Sequence, residues 1–173
     1  ASTTYTGDPG YVAPQYMIDG SGLTGTGRSA THSNASAANL FWHSEVGIDV
    51  GAQWVEFDLG AVYDVTNALV WQLAQQNLIN RGVQTFSISV AGASHVFSLI
   101  ATGQWLNQAT GGSQEPVQVV PLVAASIRYV RFGIQSNWGA GGIVGLSEVR
   151  FEGGLSAPPP PPPPSVIVPV DVS

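Results

Sequence analysis

Two imidazole–hydroxyl neighbours, His32-Ser33 and His43-Ser44, are the residues in this chain whose types most suggest chemistry. Adjacency along the chain does not give the nucleophile–base–orienter geometry that a triad requires. No nucleophile elbow, metalloprotease helix, phosphate loop or dinucleotide fingerprint accompanies them. His32, His43 and His95 lack the spacing of a zinc site, and the chain has no Cys to complete one. Glu56 and Asp58 alternate with Val55, Phe57 and Leu59, which makes them wet-face strand carboxylates rather than an acid/base pair. The expected protein is therefore not an enzyme. Asn34-Ala35-Ser36 fits a glycosylation sequon.

The elements that would carry these residues are short and extended. Hydrophobic residues make up 44% of the 173, with 21 Gly and 12 Pro, a mixture suited to many strands joined by turns. Residues 53–60 alternate apolar and polar, and residues 65–73, 84–90, 95–100, 117–122, 127–134 and 146–151 are further strand candidates. A short strand is expected around Tyr16-Met17-Ile18, followed by a long polar loop over residues 20–39. No apolar stripe of helical period appears, so the expected class is all-β.

Charge narrows the partners. Charged residues are 9% of the chain, against about 25% in typical proteins. Lys is absent, the cations are Arg28, Arg81, Arg128, Arg131 and Arg150, and the net charge is −6. Nothing here could replace counterions along a nucleic acid, and an anionic membrane surface is disfavoured too. No run of about 18 apolar residues predicts membrane insertion. The small polar start Ala1-Ser2-Thr3-Thr4 and the lack of Lys suggest an exported chain whose signal peptide has been removed, in an extracellular or cell-surface setting.

The composition changes after Gly153-Gly154. The expected division is a sandwich over residues 1–154, a polyproline linker over 155–165 and a strand-forming tail over 166–173. Pro158 to Pro164 should form a polyproline II rod of roughly 22 Å. Beyond it, Val166, Val168, Val170 and Val172 share one face at strand spacing, while Pro169 on the other parity favours an edge position.

Several segments in order then carry a resemblance. They are Met17-Ile18-Asp19-Gly20-Ser21-Gly22-Leu23, His32-Ser33, Trp42-His43-Ser44 and Trp54-Val55-Glu56-Phe57-Asp58-Leu59-Gly60. Asn80-Arg81-Gly82-Val83, Arg128-Tyr129-Val130-Arg131-Phe132 and Gly145-Leu146-Ser147-Glu148-Val149-Arg150-Phe151 complete the set. Together these resemble the coagulation factor V/VIII type C, or discoidin, family, and most of all its exported bacterial members. The resemblance implies a galactose-binding-like jelly-roll β-sandwich.

It also implies a structural calcium ion where the first loop meets the last strand. Asp19 and Glu148 would be side-chain ligands, with carbonyls at Ser21 or Leu23 and the Ser33 hydroxyl completing an oxygen shell. Asp19 as a turn cap and Glu148 as an ordinary strand residue is the plainer alternative. The family further implies ligand binding by loops at one end of the sandwich, where stacking on an aromatic face and planar donors read a sugar. Asn77, Asn80 and Arg81 in one loop and Asn137 and Trp138 in another are the candidates; Arg81 in a turn and Trp138 capping the core are the alternatives. Trp42 and Trp54 are expected in the core.

Two functions follow. One is a secreted structural or adhesion protein that self-associates through its C-terminal strand, forming a filament if the contacts do not close. The other is a monomeric, calcium-stabilised carbohydrate-binding module for extracellular or cell-surface glycans.

Overall fold

The computed structural model describes residues 1–7, 10–34 and 39–157. They form an all-β sandwich of two antiparallel layers. The strands are β1 (Leu23–Thr24), β2 (Thr31–Ser33), β3 (Trp42–His43), β4 (Trp54–Gln72), β5 (Val83–Ala91), β6 (Ser98–Trp105), β7 (Gln114–Pro116), β8 (Gln118–Asn137) and β9 (Gly145–Leu155). The large sheet runs β3-β9-β4-β8-β5-β6, and a small one runs β1-β2-β7.

β4 and β8 each serve both layers. Residues 53–60 and 65–73, expected as separate strands, are one strand, and so are 117–122 and 127–134. Each bends instead of ending. In β4 the bend falls at Gly60, which takes φ +81°, and the β4–β8 register breaks between Asp58 and Val65. Ser126 of β8 takes φ +54° at the same level, and its N–H donates to Asp64 Oδ1 at 2.8 Å. Before the bend β4 pairs with β8; after it β4 lies between β8 and β9. Gly153 is required there, because a Cβ would stand 2.1 Å from the Asp64 carbonyl oxygen.

The alternation of β4 decides what is inside. Val55 and Phe57 are buried, and Phe57 packs edge-on against Phe132 and Phe151 with centroids 5.5 and 5.3 Å apart. Phe86 meets Phe132 at 4.8 Å, so the aromatic residues of both layers form the centre of the core. Glu56 and Asp58 point outward and pair across the sheet with Arg131 and Arg128. Trp42 is in the core as expected, whereas Trp54 is half-buried beneath the Arg131 guanidinium, 4.6 Å from its ring.

Other expectations shift. Residues 14–17 form a 3-10 helix, not a strand, with Pro at its start where the missing N–H costs nothing. β6 begins three residues later than expected. The long loop after Gly20 contains β1 and β2, which pair with each other and with β7. β9 runs to Leu155, and residues 158–173, including Val166, Val168, Val170 and Val172, lie outside the described residues.

Candidate functional site

One end of the sandwich gathers the N-terminal segment with the loops at 43–50, 73–82 and 137–145. Tyr5 donates its N–H to the His43 carbonyl at 3.1 Å, Gly47 donates to Gly142 at 2.8 Å, and Gly82 bridges to Gly145. Gln72, fully buried at the end of β4, ties these loops together. Its amide donates to the carbonyls of Val83 at 2.6 Å and Asn107 at 3.0 Å, and its oxygen accepts from Leu73 N–H at 3.1 Å. Gly82 presses on that amide, where a Cβ would lie 2.6 Å from Gln72 Oε1.

Arg81 stands at the centre of this end, in the 3-10 turn Ile79–Arg81. Among the described residues it is the one Arg with no carboxylate ion pair, since Arg28, Arg128, Arg131 and Arg150 each have one. Partial burial lowers its pKa, opposed by Tyr5. The neighbouring His43 is 3% exposed, and its Nε2 has no hydrogen-bond partner. Burial, and then the charge of Arg81, pushes its imidazole down to about 3, so His43 is neutral at physiological pH. With no carboxylate partner among the described residues, the Arg81 guanidinium keeps donors free toward a ligand, while the His43 ring is enclosed.

The other loop residues divide into presenters and supports. Trp138 is half-buried and packs edge-on against the exposed Trp105, centroids 5.2 Å apart; its Nε1 has no partner. Asn80 is exposed, and Asn77 is exposed with φ +66°, the left-handed conformation that asparagine tolerates in a turn. Asn137 departs from the expected ligand-reading role. Its amide donates to the Gly141 and Ile143 carbonyls at 2.9 and 2.7 Å and accepts from Gly139, so it shapes its own loop. The sequence alone does not select His43; its signal is an imidazole inside the apolar run Leu40-Phe41-Trp42.

A second polar corner joins the first loop to β9. Gly20 donates its N–H to Glu148 Oε2 at 3.3 Å, and Asp19 Oδ1 accepts from both N–H and hydroxyl of Ser21 at 2.8 and 2.6 Å. Glu148 is fully buried; burial pushes its carboxyl up to about 7, with Arg150 opposing. Arg150 Nε lies 2.6 Å from Glu148 Oε1, an ion pair that partly offsets the burial. Asp19, Ser21 and Glu148 are thus brought together. Leu23 and Ser33 stand on the adjoining β1–β2 ladder, where Ser33 N–H donates to the Gly22 carbonyl at 2.9 Å. A buried carboxylate beside a second carboxylate and loop carbonyls is an oxygen-rich donor set of the kind a hard divalent cation takes. Among the described residues no group of three His, Cys, Asp or Glu side chains surrounds a metal position, so carbonyls would supply most of the shell.

Comparisons with known proteins agree with this architecture. No curated protein sequence matches the chain. Among solved structures, it is similar to the F5/8 type C domain of a Bacteroides fragilis protein, with TM-score 0.63, 12% identity, and 90% of this chain and 89% of that one covered. It is also similar to the CBM32-1 module of a family 31 glycoside hydrolase from Clostridium perfringens, with TM-score 0.52, 15% identity, and 87% and 89% covered. A third similar structure is the CBM32 of AlyQ in complex with 4,5-unsaturated mannuronic acid, with TM-score 0.51, 19% identity, and 80% and 84% covered. At these identities the likeness establishes the fold. The family model for the F5/8 type C domain matches residues 1–149, and the chain therefore belongs to the F5/8 type C, or discoidin, family.

Proposed function

We propose that this protein is an extracellular, non-catalytic glycan-binding module that reads sugars at the loop end of its sandwich. The observation that carries the reading is the Arg81 guanidinium, without a carboxylate ion pair among the described residues, at the loop end that also holds the Trp138–Trp105 pair. In this reading Arg81 donates a planar pair of N–H groups to vicinal sugar hydroxyls or a carboxylate. The Trp138–Trp105 pair offers an apolar face, and the buried, neutral His43 stands behind the site as a support. Among the similar structures, the CBM32 module of AlyQ is in complex with 4,5-unsaturated mannuronic acid, which supports a glycan ligand. No helix among the described residues is long and apolar enough to cross a membrane. A glycan array probed with the wild-type chain and Arg81→Ala tests the reading. A hit that disappears in the variant supports it; an unchanged hit contradicts it.

Calcium belongs to this reading as a structural clip. Asp19 and Glu148 would hold it with carbonyls of the first loop, the ion adding to the charge that Arg150 already brings to Glu148. Asp19 then fastens the loop after residues 14–17 to β9, the strand that also frames the 137–145 loop.

A second reading, self-association through the tail, is favoured by the sequence pattern in which Val166, Val168, Val170 and Val172 fall at strand spacing. Ser156 donates its N–H to the Val62 carbonyl at 3.1 Å, just before the tail begins. Removing residues 158–173 is expected to leave a folded monomer and abolish association, measured by light scattering; association that survives the deletion contradicts this reading.

A further inference from the structure

The sandwich has one flank that its own described strands do not close. Residues 55–58 of β4 pair with β8 on one side, and among the described residues no strand lies on the other. Trp54 turns its N–H and C=O away from β8 and toward Ser2, at 2.9 and 2.8 Å. Strand alternation turns the backbone groups of Glu56 and Asp58 the same way, toward the open edge. Across the gap, β9 pairs with β3 only at Gly145 and Leu146, so its far side is uncovered by strand beyond that point. Between the two edges lies a cavity of about 560 Å³ whose lining includes Phe57, Leu59, Tyr63, Val65, Val149 and Phe151. These are core or core-packed side chains, so the cavity opens onto the core itself.

We propose that this groove receives residues 166–172 of a second copy as an added strand, running parallel to β4 with Val166, Val168, Val170 and Val172 facing the core. The proposal rests on the tail-association reading and names the surface that reading leaves open. Three observations carry it. The tail has one apolar face at strand spacing, and the groove offers an apolar floor beside an unpaired edge. Gly153, four residues before Ala157, lines the groove, so the chain leaves the sandwich beside its own groove. Seven prolines, Pro158 to Pro164, separate that point from residues 166–172, a spacing long enough to reach a neighbour's groove.

Pro169 sets the direction. In an antiparallel addition, tail residues whose backbone faces β4 stand opposite Glu56 and Asp58 and share their outward side-chain face. With the valines inward, those residues would be Ile167, Pro169 and Asp171, and Pro169 has no N–H to donate. In a parallel addition the inward valines face β4 with their backbone groups, and Pro169 faces away. The rival free edge, β6, fits less well. Its adjacent Leu99 and Ile100 are both exposed, so neither face offers a floor, and its register against β5 is broken. Each copy would give a tail at one place and accept one at another, a head-to-tail contact that propagates unless it closes.

The native chain has no Cys, so single cysteines report contacts cleanly. Full-length Asp58→Cys is mixed in turn with full-length Ile167→Cys, Asp171→Cys and Val168→Cys under mild oxidation, with Thr102→Cys on β6 as the alternative acceptor. Circular dichroism confirms that each variant is folded. An intermolecular disulfide with Asp58→Cys is expected for Ile167→Cys or Asp171→Cys, whichever the register sets nearer to it, at least ~10-fold above Val168→Cys, because cross-strand neighbours on one face meet disulfide geometry. The parallel sense further requires Ile167→Cys to prefer Glu56→Cys, and Asp171→Cys to prefer Asp58→Cys; the reverse preference overturns it. Capture by Thr102→Cys instead, with association intact, overturns the groove and leaves tail association standing. Absence of any cross-link in a protein that scatters as a monomer overturns both. A chain carrying Asp58→Cys and Ile167→Cys together that closes only on itself overturns docking on a second copy.

Discussion

Replacing His43 by Phe probes the loop end through its electrostatics. His43 is buried, its imidazole is held down to about 3 by burial and by Arg81, and an ordinary histidine titrates at 6.5. As pH falls below 6.5 the unfolded chain takes up a proton at this position and the native chain refuses it. The unfolded state then binds more protons, so the stability that His43 contributes is complete above pH 6.5 and is lost downward toward pH 3. At pH 5 the loss is about 2 kcal/mol, from 1.5 pH units at about 1.36 kcal/mol each. That figure depends only on the unfolded value while the native imidazole stays neutral. His43→Phe keeps a ring against Phe41, whose centroid is 5.1 Å away, and removes the titration. Urea denaturation at pH 5 and pH 7 is the assay. Wild type should lose about 2 kcal/mol more than the variant on acidification, equivalent to roughly 4–8 °C in Tm. Other titrating groups, Glu148 and Glu115 among them, cancel in the comparison. Equal losses in the two proteins would refute a neutral, buried His43.

Further predictions concern the supports. Gln72→Leu removes three hydrogen bonds and should cost about 2–4 kcal/mol, because the buried backbone groups of Leu73 and Val83 lose a partner; a thermal shift equivalent to under about 1 kcal/mol would contradict its tying role. Gly153→Ala should destabilise by at least about 2 kcal/mol through the clash with the Asp64 carbonyl, while Gly154→Ala, with nothing within 4 Å, is the matched control in urea. Added calcium should raise the Tm of the wild type, and chelator should reverse the rise. Glu148→Gln should abolish that response while leaving the metal-free Tm nearly unchanged at neutral pH, and a calcium response equal to wild type would remove Glu148 from the site.

The fold was legible where alternation is strict. Val55, Phe57 and Leu59 against Glu56 and Asp58 define one sheet face, and the ordered family segments supply the rest of the sandwich. The bends were not legible, because Gly60-Ala61 read as a strand end when the strand in fact turns a corner. β1, β2 and β7 hold two or three residues each, too few for any period to show. Pro14 carried the signal for the 3-10 turn that replaced an expected strand at Tyr16-Met17-Ile18. At the candidate site, Arg81 and Trp138 were named from residue type and loop position. His43 was passed over because its significance is environmental: burial and an unpaired nitrogen become visible only once Phe41, Arg81 and Gly145 surround it. Asn137 shows the converse, a residue of suitable type whose hydrogen bonds are taken up by its own loop.

The most direct test of the glycan-binding reading is a nuclear magnetic resonance titration of the full chain with a glycan identified on the array. The account predicts shifts concentrated at the Arg81 side chain, the His43 ring and the Trp138 and Trp105 indoles, with the Asp58–Arg128 end unmoved. Shifts confined to that opposite end, or spread without focus while the glycan binds, would contradict it.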